Sequence, residues 1–278
     1  MKRTRHFFHA LWVAADRFNR NDGSAMAGFI AFSGLLSIFP FLIFAATLTG
    51  ILFGGEQSET IIESIFEIAP AHVAQTLEPV AVEVLNKQSG EVLTISFLFA
   101  IWVASSAVEA FRIAFDRAYA VPDPRNFFEN RALAIGLVFL GALVAALLGV
   151  SILFSPLILR FLQTVLLIPV PVVASYVTNV FGVIVFMGFV LTMHRFLPGR
   201  RLKASRLWPG VLVTTVLWVG FASAFSLYLS FTPSYTVTYG TLAGVIITLM
   251  FFYLTGATII FGAEVNAALN QLGLAERG

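Results

Sequence analysis

Apolar residues along this chain gather into long runs at 25–53, 92–110, 132–159, 165–193, 208–231 and 241–261. Each reaches or approaches the ~20 residues that a helix needs to cross a bilayer. Inside a membrane, a helix satisfies its own backbone hydrogen bonds, which an irregular segment cannot do. The pattern therefore predicts an all-α integral membrane protein, a bundle of six transmembrane helices. Little more than Arg160 and Gln163 separates the third run from the fourth, which predicts a tight helical hairpin. Pro169 and Pro171 predict an extended lead into the fourth span.

Two segments follow a different pattern. In residues 1–24, Phe8, Leu11, Trp12, Ala15 and Phe18 recur at three- and four-residue spacing, while Arg5, His9, Asp16 and Arg20 occupy other faces. Lys2, Arg3 and Arg5 before a short apolar stretch follow the order of a signal peptide, but His6 and His9 interrupt that stretch. The reading is an uncleaved amphipathic helix lying in the membrane interface. In residues 54–91, Glu59, Glu63 and Glu67 share one helical face; Ile61, Ile62, Ile65 and Phe66 share another. Leu77, Val80, Val84 and Leu85 form a second stripe after Pro70. This acidic external loop is expected to hold two short amphipathic helices, either as a solvated cap or as a lid over a pathway. Residues 25–278 then form one membrane domain.

Composition agrees with the pattern. The chain is 58% hydrophobic and 12% charged, where soluble domains run near ~45–50% and ~25%. Mean hydropathy is +0.89. Of the 17 Lys and Arg residues, all but Lys87 and Arg160 fall in the N-terminal segment, after the second and fourth runs, or in the tail. Basic residues mark cytoplasmic loops, so both termini are expected in the cytoplasm. The chain has no cysteine, which excludes disulfides and thiol chemistry.

Ionisable residues near a membrane are costly and therefore informative. Glu109 and Arg112 close the second run three residues apart, on one helix face. Glu264 and Asn266 follow the sixth run, with Asn270 close behind. The topology places these groups at similar depth, so Glu109, Arg112, Glu264 and Asn266 form a candidate gate or helix clamp, with Arg112 available to either acid. Side chains merely reaching for water are the plain alternative. Pro40, inside the first run, is a candidate hinge or a static kink. Gly141, Ala145 and Gly149, and separately Gly240 and Gly244, are spaced for close helix packing. Tyr235 and Tyr239 suit interfacial anchors. The histidines are scattered at His6, His9, His72 and His194, and no HExxH, phosphate-binding loop or GxSxG motif is present. No catalytic residue, metal or cofactor is expected.

Residues in order along nearly the whole chain carry a family resemblance. They are AGFIAFSGLLSIFPFLIF at 27–44, Trp102, Ser105, AFRIAFDRAY at 110–119, and Arg206 with Trp208, Pro209 and Gly210. Tyr235, Tyr239-Gly240 and GAEVNA at 262–267 complete the set. The sequence resembles the BrkB/YihY family of bacterial inner-membrane proteins, once labelled ribonuclease BN. One departure is the more highly charged stretch from Glu109 to Asp116. The resemblance implies six spans, cytoplasmic termini and a bacterial inner membrane. Members of the family look like exporters or flippases of envelope lipids, or are linked to serum resistance. The expected function is transport or flipping of an amphiphilic or lipid-like envelope molecule; the alternative is a non-catalytic scaffold supporting the envelope. The expected partners are membrane lipids and an amphiphilic substrate, with no specific nucleic acid and with homo-oligomerisation left open. Ribonuclease activity is not expected.

Overall fold

A computed structural model describes residues 2–53, 90–144, 170–200, 202–231 and 242–275. Regular structure among the described residues is helical. The helices are α1 (Lys2–Arg20), α2 (Gly23–Phe53), α3 (Gly90–Tyr119), α4 (Phe127–Val144), α5 (Val170–Phe196), α6 (Trp208–Phe231) and α7 (Leu242–Ala275). A 3-10 turn at Ala204–Arg206 precedes α6. Among the described residues, five stretches are long and apolar enough to cross a membrane: Gly23–Phe41, Glu91–Tyr119, Phe127–Val144, Trp208–Tyr228 and Gly244–Leu272. A shorter apolar stretch, Val180–Phe196, lies in α5. The acidic loop helices expected within 54–91, the hairpin after the third run, and Ala145, Gly149 and Gly240 lie outside the described residues.

Two helices continue well past their apolar runs. With 30 and 34 residues, α3 and α7 are about 45 and 51 Å long at ~1.5 Å per residue. The hydrocarbon core of a bilayer is ~30 Å thick. The extension of α3 carries Arg112, Asp116 and Arg117; that of α7 carries Glu264, Asn266 and Gln271. Ala120, just past α3, has a φ of 50°. Val121 N–H donates to Asp116 O at 3.1 Å, closing the helix in the usual left-handed way. By contrast α2 runs through Pro40 as one continuous helix.

Packing centres on α7, which lies against α1, α2, α3 and α6, while α2 also runs along α3. The buried core joins Ala110, Phe111, Ala114 and Phe115 of α3 to Val190 and Met193 of α5, Val211 of α6 and Ile259 and Ile260 of α7. Glycine sets the tightest crossings. A Cβ at Gly262 would stand 1.9 Å from Thr214 Oγ1, and one at Gly210 2.1 Å from Gly262 O. The expected seam residue Gly141 meets Phe189 only at an ordinary 3.5 Å, and Gly244 is buried.

The α1 surface differs from the single stripe expected. Ala10 and Ala14 are fully buried against Val265 and Ala268, with Leu11 beside them. Phe8 and Trp12 are 66% and 75% exposed. Alanine lets the helix backbones come close, so the small residues face α7 and the large ones point away. Phe29, Phe32, Ile95, Phe99, Ile184, Val216 and Met250 also face outward. An apolar exterior of this kind needs lipid around it, and the chain is a membrane protein.

Candidate functional site

The polar residues of the bundle collect at one end, where α3, α5 and α7 finish and α2, α4 and α6 begin. Arg112 is the organiser of the α3–α4 connection. Its guanidinium reaches Glu109 at 2.6 Å, Asp116 at 2.8 Å and Asp123 at 2.6 Å. Asp116 then accepts the Gly199 N–H at 2.8 Å. Asp123 accepts from the Arg125 backbone N–H and side-chain Nε at 3.0 and 2.8 Å. Arg125 in turn donates to the carbonyls of Phe196 and Leu197, at the C-terminal end of α5, where a cation complements the helix dipole. Partial burial alone would push the Asp123 carboxyl up; the Arg125 donors outweigh it and hold it below the usual carboxylate range. Gly199 has no room for a side chain, since a Cβ would come within 2.5 Å of Asp123 Cα. The result is an α5–α6 connection pinned onto the α3–α4 loop.

Beneath it lies a buried neutral network. Asn266 Oδ1 accepts the Gly210 N–H at 2.7 Å, which fixes the amide orientation. Its Nδ2 then faces the Tyr119 hydroxyl and His194 Nδ1, each at 3.3 Å, and Tyr119 and His194 are 3.1 Å apart. With Asn266 and Tyr119 both donating, His194 Nδ1 is an acceptor and the ring proton sits on Nε2. One amide thus joins α7 to α3, α5 and α6.

Glu264 belongs to a separate cluster. It is fully buried. Arg17 Nε donates to Oε2 at 2.9 Å and Asn21 Nδ2 to Oε1 at 2.6 Å. The same guanidinium bonds Gln271 Oε1 at 2.9 Å and the Ala118 carbonyl. Asp22, in the α1–α2 turn with a φ of 59°, pairs with Arg117 at 3.0 Å. The N-terminal helix is therefore latched to both α7 and α3.

A cleft of about 390 Å³ opens between the end of α3, the α5–α6 connection and α7. Tyr119, Val121 and Ala267 line it together with the amides of Asn270 and Gln271 and the cations Arg200, Lys203 and Arg206. The buried network reaches this cleft through Tyr119, and the latch reaches it through Gln271.

Glu109 and Arg112 are paired with each other, as their spacing suggested, but Arg112 takes its remaining partners from Asp116 and Asp123. Glu264 and Asn266 are two positions apart, so they leave α7 in different directions and serve different clusters. Pro40 is buried within α2, away from this end. Sequence reasoning did not pick out Arg17 and Asn21, Tyr119 and His194, or the three cleft cations as a site. The available signals were the polar face of α1 and the crowding of basic residues between 195 and 206. Among the described residues, no group of three or more His, Cys, Asp or Glu converges as metal ligands would.

The family model described as Virulence factor BrkB matches residues 14–277, and the chain belongs to that family. It is 30% identical over 261 residues to the ribonuclease-like protein YfkH of Bacillus subtilis, covering 92% of this chain and 93% of that protein. It is 25% identical over 279 residues to a UPF0761 membrane protein of Idiomarina loihiensis, covering 97% and 93%. No solved structure matches the chain.

Proposed function

We propose that this chain moves an amphiphilic, lipid-like envelope molecule across the bacterial inner membrane, as a six-span bundle with both termini in the cytoplasm. The observation that carries this reading is the cleft of about 390 Å³, lined by cationic, amide and apolar side chains, at the end of an otherwise apolar bundle. A helix bundle that only filled membrane area would bury its seams and have no use for such a recess. An amphiphile suits it: the polar part sits in the cleft while the apolar part stays along the exposed Phe, Ile and Val side chains. The crowding of basic residues at this end supports a cytoplasmic position. The ribonuclease-like name of the Bacillus relative is not carried over to this chain, which we read as non-enzymatic.

The second reading, a scaffold of the envelope, draws on the latch of α1 against α7 and α3, which ties the bundle end together. Reconstitution separates the two. Vesicles holding the purified chain and a tail-labelled phospholipid are treated with a membrane-impermeant quencher. Transport predicts loss of signal beyond the outer-leaflet share seen in empty vesicles. Quenching that stops at that share for anionic, zwitterionic and glycolipid probes alike would leave the scaffold reading.

A further inference from the structure

We propose that the cleft is a binding site for an anionic, phosphate-bearing headgroup, gripped by Arg200, Lys203 and Arg206. Its biological use rests on the transport reading; the binding itself does not.

The distribution of ion pairs carries the argument. Arg17, Arg20, Arg112, Arg117 and Arg125 each have a carboxylate partner at 3.0 Å or closer. Arg131 lies over the Trp102 ring at 3.9 Å. Among the described residues, Arg200, Lys203 and Arg206 have no carboxylate within ion-pairing distance and no acidic side chain lines the cleft. Three exposed cations around one recess make it electropositive and attractive to an anion.

The backbone on both sides of this group is anchored. Gly199, beside Arg200, is tied to Asp116. Arg206 closes the 3-10 turn, and Leu207 after it is fully buried. A planar guanidinium binds a phosphate through two parallel hydrogen bonds, and a lysine adds a point charge. The amide groups of Asn270 and Gln271 add neutral polar contacts suited to ester or hydroxyl oxygens.

Size and depth favour a headgroup. About 390 Å³ exceeds what a bare phosphate fills and falls in the range of small-molecule sites. Arg206 lies two residues before Trp208, which is 44% exposed at the start of α6. Tryptophan at a span end marks the level of lipid headgroups. Phosphate chemistry is shared by a lipid and by a soluble phosphate ester, and the test must tell them apart.

The full chain in a non-ionic detergent is titrated with short-chain phosphatidylglycerol, short-chain phosphatidylcholine and glycerol 3-phosphate, with binding followed by calorimetry. Phosphatidylglycerol should bind more tightly than phosphatidylcholine. R200Q, K203Q and R206Q should each weaken it about fivefold, the effect of one interfacial cation. R20Q and R195Q remove the same charge outside the cleft and should leave binding unchanged. Glycerol 3-phosphate binding as tightly as the lipid, with the same loss in the three variants, supports the site and assigns it to a soluble phosphate ester. Equal binding of the two lipids overturns the proposal, as does an equal loss in R20Q and R195Q. A short single-stranded RNA that outcompetes phosphatidylglycerol through the same three cations overturns it too. Size-exclusion profiles confirm that each variant is folded. Selective binding without transport in vesicles would remove only the transport reading. Transport indifferent to headgroup charge and to the three variants would remove only the site's role in transport.

Discussion

Arg17 Nε and Glu264 Oε2 meet at 2.9 Å across the α1–α7 seam, joining residues 247 positions apart. The pair is asymmetric, because the Arg17 side chain is 18% exposed and that of Glu264 is fully buried. A buried carboxylate that loses its cation has no route to water, whereas a released arginine can turn outward.

That asymmetry gives an ordered prediction. R17Q should cost about 3 kcal/mol of stability, because it leaves the Glu264 charge with Asn21 alone. E264Q should cost less, and R17Q/E264Q should be more stable than R17Q. Thermal unfolding in detergent measures all three. If the double variant is the least stable, the two residues act independently and the latch is not an ion pair. A gate predicts in addition that E264Q changes transport at unchanged abundance, whereas a fixed clamp predicts a loss of abundance.

Asp123 supplies a pH test outside the spans. Its carboxyl is held below the ordinary value by Arg125 despite partial burial. A lowered folded-state value adds stability above the ordinary ~3.9, and that contribution disappears as pH falls through the folded value. The melting-temperature gap between the parent and D123N should be widest at about pH 6 and should close toward about pH 2. A gap that persists undiminished in acid would assign the loss to packing.

Topology is open to direct chemical mapping, since the chain contains no cysteine. Ser205, exposed in the turn before α6, should react as S205C only after the cytoplasmic side is opened. S89C, in the acidic loop, should react with an impermeant reagent added to intact cells. The opposite pattern would reverse the orientation inferred from the basic residues.

The all-helical membrane character, with five stretches among the described residues long enough to span, was legible in the sequence because lipid-facing helices need no periodicity, only length. The α6 bounds, Trp208–Phe231, coincide with the apolar run. The ends of α3 and α7 were not legible. Polar residues interrupt the apolar run, yet the helix continues because Arg112 pairs along α3 with Glu109 and Asp116 and beyond it with Asp123, while Glu264 and Asn266 find partners outside α7. In α1 the stripe of Phe8, Leu11, Trp12, Ala15 and Phe18 was legible as an amphipathic face, but the face packed on α7 was not: close packing selected Ala10 and Ala14. Charge composition located the basic loop, but not which of its cations lack a carboxylate, since that depends on partners such as Asp116 and Asp123 folding onto Arg112 and Arg125.

Pro40 tests whether α2 bends in use. It supplies no N–H to the preceding turn, so P40A should restore one helix hydrogen bond and raise thermal stability. If α2 is a hinge, the same variant should slow transport in vesicles. Raised stability with unchanged transport would make Pro40 a static feature of the helix.

The crossing of α6 and α7 at Gly210 and Gly262 makes the sharpest mechanical prediction. A methyl group at Gly262 would stand 1.9 Å from Thr214 Oγ1 and 2.7 Å from the Gly210 carbonyl. Thr214 cannot simply rotate away without loss, because its hydroxyl donates to the Thr258 carbonyl at 3.2 Å. The backbone collision forces the helices apart, at a cost of about 3 kcal/mol or more. Separation also lengthens the Gly210 to Asn266 bond, which orients the amide serving Tyr119 and His194. G262A should therefore lower thermal stability and also weaken phosphatidylglycerol binding in the cleft, although Gly262 does not line it. G28A and G220A meet nothing within 4 Å and should be silent in both measurements. N266L separates the two effects: it leaves the glycine crossing intact and strands the Gly210 N–H, costing about 1–3 kcal/mol. If G262A melts early but binds lipid normally once folded, the crossing is purely structural and the network does not position Tyr119. If N266L reproduces the binding loss, the amide is the link between the helix crossing and the cleft.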